Sequence, residues 1–170
     1  MAVQPPPQQP YYAQQPAGPA PGVRYASAGQ RLIAYIIDAF IIGFVVGIFY
    51  MIGIVVIAGG ASVNENTGTV TTGPGAGLGM IILLIGFLVG FLWKPFWWSR
   101  GGQTPAYKIL GMRVVRARDG GPVSFGTGIL RIIGYAVSGF ILYLGFIWIL
   151  FDAQKQGWHD KIASTVVIQA

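Results

Sequence analysis

Twenty-seven consecutive positions, Leu32 to Ala58, hold a single ionisable side chain other than tyrosine, Asp38. As a helix this run is about 40 Å long, against roughly 30 Å for the hydrocarbon core of a bilayer. It therefore predicts a membrane span with length to spare for tilting or protruding. With 54% hydrophobic and only 9% charged residues over 170 positions, the rest of the chain agrees, and an integral membrane protein is expected. Five acidic residues, one histidine and no cysteine leave few parts for acid–base pairs, a metal cluster, a thiol nucleophile or a disulfide framework. Neither an enzyme nor a cofactor or metal is expected. A net charge of +6 suits nucleic acid or an anionic membrane surface, and the hydrophobicity selects the membrane.

Leu78 to Trp98 supplies a second span of about 31 Å, ending in the interfacial cluster Trp93, Lys94, Pro95, Phe96, Trp97 and Trp98. The stretch from Gly59 to Gly77 carries one charge, Glu65, and no lysine or arginine, and reads as an external loop. Ser99 to Gly128 carries Arg100, Lys108, Arg113, Arg116 and Arg118 against Asp119, and reads as cytoplasmic. Its arginines are expected to set topology and meet anionic headgroups rather than bind nucleic acid.

Ile129 to Phe151 is a third apolar segment, interrupted by Arg131, Ser138 and Gly139. It can cross once, placing the C-terminus outside, or bend near Ser138 and Gly139 and return; the bent pair is preferred. Met112 to Arg118 alternates as a strand, with a turn at Asp119 to Pro122 before Val123 and Phe125. Ile162 to Ile168 has the β-branched content of its partner. Residues 1–27, rich in Pro, Gln and Tyr, are expected to form a disordered cytoplasmic tail acting as a tether. Residues 28–170 form the membrane domain. The fold class expected is an all-α integral membrane protein: a small transmembrane helix bundle with two full spans, a third interrupted hydrophobic segment and a short cytoplasmic β element. Both termini are expected to be cytoplasmic, in the plasma membrane.

Arg31 and Asp38 are seven residues apart, on nearly one helix face and about 10 Å apart along the axis. A carboxyl group inside hydrocarbon costs about 2.5–3.5 kcal/mol and must be paired, protonated or wet. Asp38 is thus an ion or ligand site, or a structural ion pair with Arg31 or Arg131. Gly43 and Gly47, and Gly86 and Gly90, form two GxxxG pairs expected to pack helices within the chain, with homodimerisation as the alternative. His159 beside Asp160 invites a catalytic reading. Without a nucleophile setting or metal-ligand spacing, the expectation is interfacial anchoring by Trp158 and His159, with Asp160 bonded to an arginine or capping a helix. Gly101 to Lys108 lacks the Gly-Lys-Ser/Thr ending of a phosphate loop.

Arg31, Asp38, the segment GQTPAYKILGMRVVRARDGGPVSF and the ending GWHDKIASTVVI together resemble the RDD family of membrane proteins, over Ala28 to Ile168. The resemblance implies that Arg31, Asp38 and Asp160 match the arginine and two aspartates for which the family is named, with Asp152 a weaker claimant for the last. It also implies transport of an unidentified ligand, cation–proton exchange having been proposed for some members. The chain departs from the family pattern at Ala106 and Tyr107, where Gly-Lys is usual, and at Ser164, where glycine is usual. From these residues, Arg31, Asp38 and Asp160 are expected to form one polar site. The alternative to a transporter component is a membrane adaptor using its tail and basic loop. The expected partners are the lipid bilayer with its anionic headgroups, and a second copy or another membrane protein.

Overall fold

The computed structural model describes residue 20 and residues 22–170; the expectation of a disordered tail falls mostly on residues outside that range. Ser27 opens the first helix, α1 (Ala28–Gly59), with a reciprocal cap: its hydroxyl accepts from the Gln30 N–H, and the Gln30 side chain accepts from the Ser27 N–H. The cap starts the helix four residues before the apolar run. The stretch expected to be a plain loop contains a hairpin of β1 (Ala61–Val63) and β2 (Val70–Thr72), held partly by Ser62 and Thr71 hydroxyls 2.7 Å apart. Helix α2 (Gly75–Ser99) runs back along α1.

Both long helices are apolar enough to cross a membrane. They turn Phe40, Phe44, Val55, Met80 and Leu84 outward, a surface that lipid covers at no hydration cost. The α1–α2 seam is set by small residues. A Cβ on Gly79 would stand 2.6 Å from the Gly53 carbonyl oxygen, and one on Gly86 2.7 Å from Phe49 Cβ. Gly90 faces Val46 in the same seam. Gly43 and Gly47 have open space where a side chain would be. The expectation of packing within the chain therefore holds for Gly86 and Gly90 and is corrected for Gly43 and Gly47, which lie on the outward face of α1.

After α2 come α3 (Pro105–Ile109), β3 (Met112–Arg116), α4 (Phe125–Phe140), α5 (Leu144–Ile147) with a 3₁₀ turn at Trp148–Leu150, α6 (Trp158–Ile162) and β4 (Thr165–Gln169). Strands β3 and β4 pair antiparallel, Met112 opposite Gln169 and Arg116 opposite Thr165. The two strands sought each other as expected, with narrower bounds because Ile162 ends α6. The chain just before α1 joins this edge: the Ala26 N–H donates to Val167 O at 2.9 Å, and Tyr25 bridges Ile168. The start of α1, the end of α2, α3 and the β3–β4 pair thus share one end of the bundle. There Ala26, Ala34, Trp98, Ala106, Met112, Val114 and Val167 form the buried core.

The third apolar segment is bent by 109° between α4 and the α5–3₁₀ unit. The break falls at Ile141–Tyr143 rather than at Ser138 and Gly139, with Leu142 and Tyr143 at φ of 48° and 59°. Ser138 stays within α4, and Gly145 packs back onto it; a Cβ at Gly145 would lie 2.5 Å from the serine hydroxyl. Ser124 caps α4 through the Thr127 N–H, so this helix begins at Phe125, soon after the turn.

A buried arginine–aspartate cluster as the candidate functional site

Asp160 sits at the third position of α6, where its Oδ2 accepts the Gly157 N–H at 3.0 Å. That cap alone orients the carboxylate toward the helix start, where the backbone N–H groups favour an anion. Two arginines from other helices complete it. Arg31, in the first turns of α1, places Nη1 2.5 Å from Oδ2, and Arg131 of α4 places Nη1 2.7 Å from Oδ1. All three side chains are buried. Arg131 also donates to the Thr165 hydroxyl at 2.6 Å at the start of β4, and its guanidinium lies 4.5 Å from the centre of the Trp98 ring. Cluster, strand and helix ends are therefore one connected unit.

The electrostatics follow from burial and charge count. Burial would raise the Asp160 carboxyl, but Arg131 first and Arg31 next outweigh it and hold the group well below the usual carboxylate range. His159 is adjacent in sequence, and its Nε2 lies 3.4 Å from Asp160 Oδ2. It nevertheless stays neutral: burial pushes it down to about 3, against the pull of Asp160 and aided by the repulsion of Arg131 and Arg31. Its ring packs at a tilt against Tyr135 and Phe146, with centroids 4.3 and 5.1 Å away. Interfacial anchoring by His159 is thus corrected to core packing; Gly134 permits it, since a Cβ there would stand 2.6 Å from His159 Cα. Burial likewise pushes the Tyr107 phenol up, so the residue in place of the family's lysine adds no charge.

Arg31 and Asp160, both singled out from the sequence, meet. Arg131, expected to reach toward Asp38, turns to Asp160 instead. Asp38 is buried but is absent from the ion pairs of the described residues; its Oδ1 accepts the Ala106 N–H at 3.2 Å. The reason is local. Thr104 and Pro105 start the five-residue α3 against α1, and its first N–H groups have no partners within so short a helix. Thr104 takes the Tyr107 N–H and Asp38 takes that of Ala106. The expectation of one site containing Arg31, Asp38 and Asp160 is corrected accordingly: a backbone donor answers the intramembrane acid, and the arginines answer Asp160. Asp152 lies apart, bonded to Lys161 and to the Gln154 and Gln156 N–H groups. Thr165 and Gln156, whose side chain donates to Thr165 O at 2.8 Å, were missed. They are uncharged, and no spacing in the sequence ties Thr165 to Arg131 or Gln156 to Thr165.

Asp38→Ala should destabilise the domain by about 1–3 kcal/mol, the cost of an unpaired buried N–H, whereas Asp38→Asn keeps an acceptor and should cost less. Thermal melting in detergent reads both; equal losses would remove the capping role.

Among the described residues no three His, Cys, Asp or Glu side chains converge on one point. The cluster therefore offers charge and hydrogen-bond donors. Nε and Nη2 of both Arg31 and Arg131 are buried and have no hydrogen-bond partner among the described residues.

A sequence model of the RDD family matches residues 25–164, which include every residue of this cluster. The chain belongs to the RDD family. Among similar proteins, "Uncharacterized protein YxaI" of Bacillus subtilis (strain 168) is 46% identical over 70 residues, 41% of this chain and 45% of that protein. "Proline-rich antigen" of Mycobacterium leprae (strain TN) is 27% identical over 111 residues, 63% of this chain and 43% of its own. "Proline-rich antigen homolog" of Mycobacterium tuberculosis (strain ATCC 25618 / H37Rv) is 29% identical over 89 residues, 51% and 37%. The matches thus span less than half the length of each of these relatives. No solved structure matches the chain. In this RDD protein the departure from the family's glycine at Ser164 falls at a φ of 51°, a left-handed position that glycine occupies without strain.

Proposed function

We propose that this RDD membrane protein is a transport component of the plasma membrane, handling a small ion or solute at the Arg31–Asp160–Arg131 cluster in association with further copies. One observation carries the reading. Two buried guanidinium groups share a single carboxylate and keep Nε and Nη2 unpartnered. Such donors cost stability unless a ligand or water completes them, so they mark a place where something binds. Two spans and a bent third segment enclose little pathway alone, which is why the reading includes association. It assigns no catalytic role to the chain.

A second reading has its own support. Asp160 is saturated by two arginines and the Gly157 N–H, and a cluster that never opens would be a latch in a non-transporting membrane adaptor. Proton, sodium and phosphate flux into proteoliposomes separates the two. Transport at this cluster predicts flux above that of protein-free vesicles, kept in Asp38→Asn, which retains an acceptor for the Ala106 N–H, and lost in Asp160→Asn. No flux from a folded, reconstituted protein selects the latch.

The charge asymmetry of the loops supports cytoplasmic placement of both ends of the membrane domain and of the Arg100 to Gly128 segment. Single cysteines at Thr69, Arg116 and Gln169, in a chain with no native cysteine, should react with an impermeant reagent on intact cells at residue 69 alone. Labelling at 169 from outside would overturn the returning third segment.

A further inference from the structure

Among the described residues Lys94 forms no ion pair. The protein has five acidic residues, and each is committed or distant. Asp160 is held by Arg31 and Arg131, Asp152 by Lys161, Asp119 by Arg116 and Arg118, and Asp38 accepts the Ala106 N–H. Glu65 lies between β1 and β2, at the far end of the helix pair. The Lys94 ammonium is half-buried and rests over two aromatic faces, 4.4 Å from the Tyr35 ring centre and 5.1 Å from that of Tyr135. With Arg31 and Arg131 set against Asp160 alone, this end of the bundle carries an excess of positive charge. Lys94 is five residues from the end of α2 at Ser99, about 8 Å along the axis, which places its Cα a few Å inside the hydrocarbon edge for a span of this length, within reach of the headgroups for a lysine side chain.

An apolar groove of about 300 Å³ lies in the same seam of α1, α2 and α4. Val46, Phe91 and Ile132 form its walls, with Gly86 and Gly90 also lining it. Gly90 and Phe91 are one helical turn from Lys94, and Ile132 is one turn from Tyr135. An unanswered cation therefore stands beside an apolar slot that opens to the acyl region.

We propose that this seam binds one anionic glycerophospholipid, its phosphate on Lys94 between Tyr35 and Tyr135 and an acyl chain in the groove. Charge selects the headgroup, because a zwitterionic lipid brings its own cation to a place that already has an excess of them. The aromatic faces hold the ammonium in position for the phosphate. The site uses none of the donors of the Arg31–Asp160–Arg131 cluster and does not depend on transport.

The test is native mass spectrometry of the full chain purified in detergent and offered equal amounts of phosphatidylglycerol and phosphatidylcholine. One phosphatidylglycerol should be retained in preference, and Lys94→Gln should reduce that preference about fivefold, the effect of one lysine near an anionic surface. Lys94→Arg should keep it, and Arg118→Gln, on the exposed loop, should leave it unchanged. Ile132→Trp, which fills the groove and leaves Lys94 in place, should lower retention of the lipid and keeps the test open if Lys94→Gln does not fold. Equal retention of the two lipids by the unmodified protein would overturn the proposal. So would undiminished preference in Lys94→Gln, or displacement of the bound lipid by inorganic phosphate alone.

Discussion

Replacing Asp160 by alanine is expected to remove about 3–5 kcal/mol of stability, the largest effect of any single substitution in this protein. The loss exceeds that of the bonds themselves, because Arg31 and Arg131 would remain buried with like charges and no acid between them. The α6 cap through Gly157 would go at the same time. Arg31→Ala and Arg131→Ala should each cost less, since the remaining arginine still answers Asp160. Their effects should also be coupled, the double variant differing from the sum of the singles by about 0.5–3 kcal/mol. Melting of the detergent-solubilised protein, followed by size-exclusion profiles, measures all of these. Independence of the two arginines, or an Asp160→Ala protein that melts like the parent, would refute the cluster as a unit.

Lowering the pH from 7.5 to 5 should cost about 2 kcal/mol through His159 alone. The sign follows from where the protons go. Burial holds His159 neutral in the folded protein down to about 3, whereas an exposed imidazole protonates below about 6.5. Between those values the unfolded chain binds the extra proton, so stability falls as the pH falls. Asp160 does not contribute in this window. Its carboxyl is held low by the arginines, so its stabilisation is complete above the ordinary carboxylate range and is lost only as the pH drops through its folded value. His159→Gln, which cannot titrate, should melt at nearly the same temperature at both pH values. A profile for that variant as steep as the parent's would assign the acid sensitivity elsewhere.

The spans were legible because crossing a membrane is a property of local composition and length. The run from Leu32 to Ala58 needed no partner to be recognised, and neither did the bend in the third segment, although it falls at Ile141–Tyr143, where Leu142 and Tyr143 have positive φ, rather than at Ser138 and Gly139. The pairing of β3 with β4 was legible for a related reason: two β-branched stretches had no other strand of comparable content to join. The limit shows at the glycines. The GxxxG spacing pointed equally to Gly43–Gly47 and Gly86–Gly90, yet the close approach between helices is made at Gly53, Gly79 and Gly86. Spacing describes one helix, and contact depends on how two helices face each other.

Arg31 and Asp38 could be singled out from the sequence because a charge at or within an apolar segment costs enough to require an answer, and Asp160 by its place beside His159 and by the family resemblance. What answers each charge was decided only by the tertiary structure. Asp38 finds the Ala106 N–H from 68 residues away, a donor that every non-proline residue carries and no sequence pattern advertises. Arg131 finds Asp160 and Thr165 rather than Asp38 because α6 and β4 meet the inner face of α4, bringing a carboxylate and a hydroxyl within 2.7 Å. The need for a partner comes from the cost of removing one side chain from water, whereas the identity of the partner comes from packing among segments far apart in the chain.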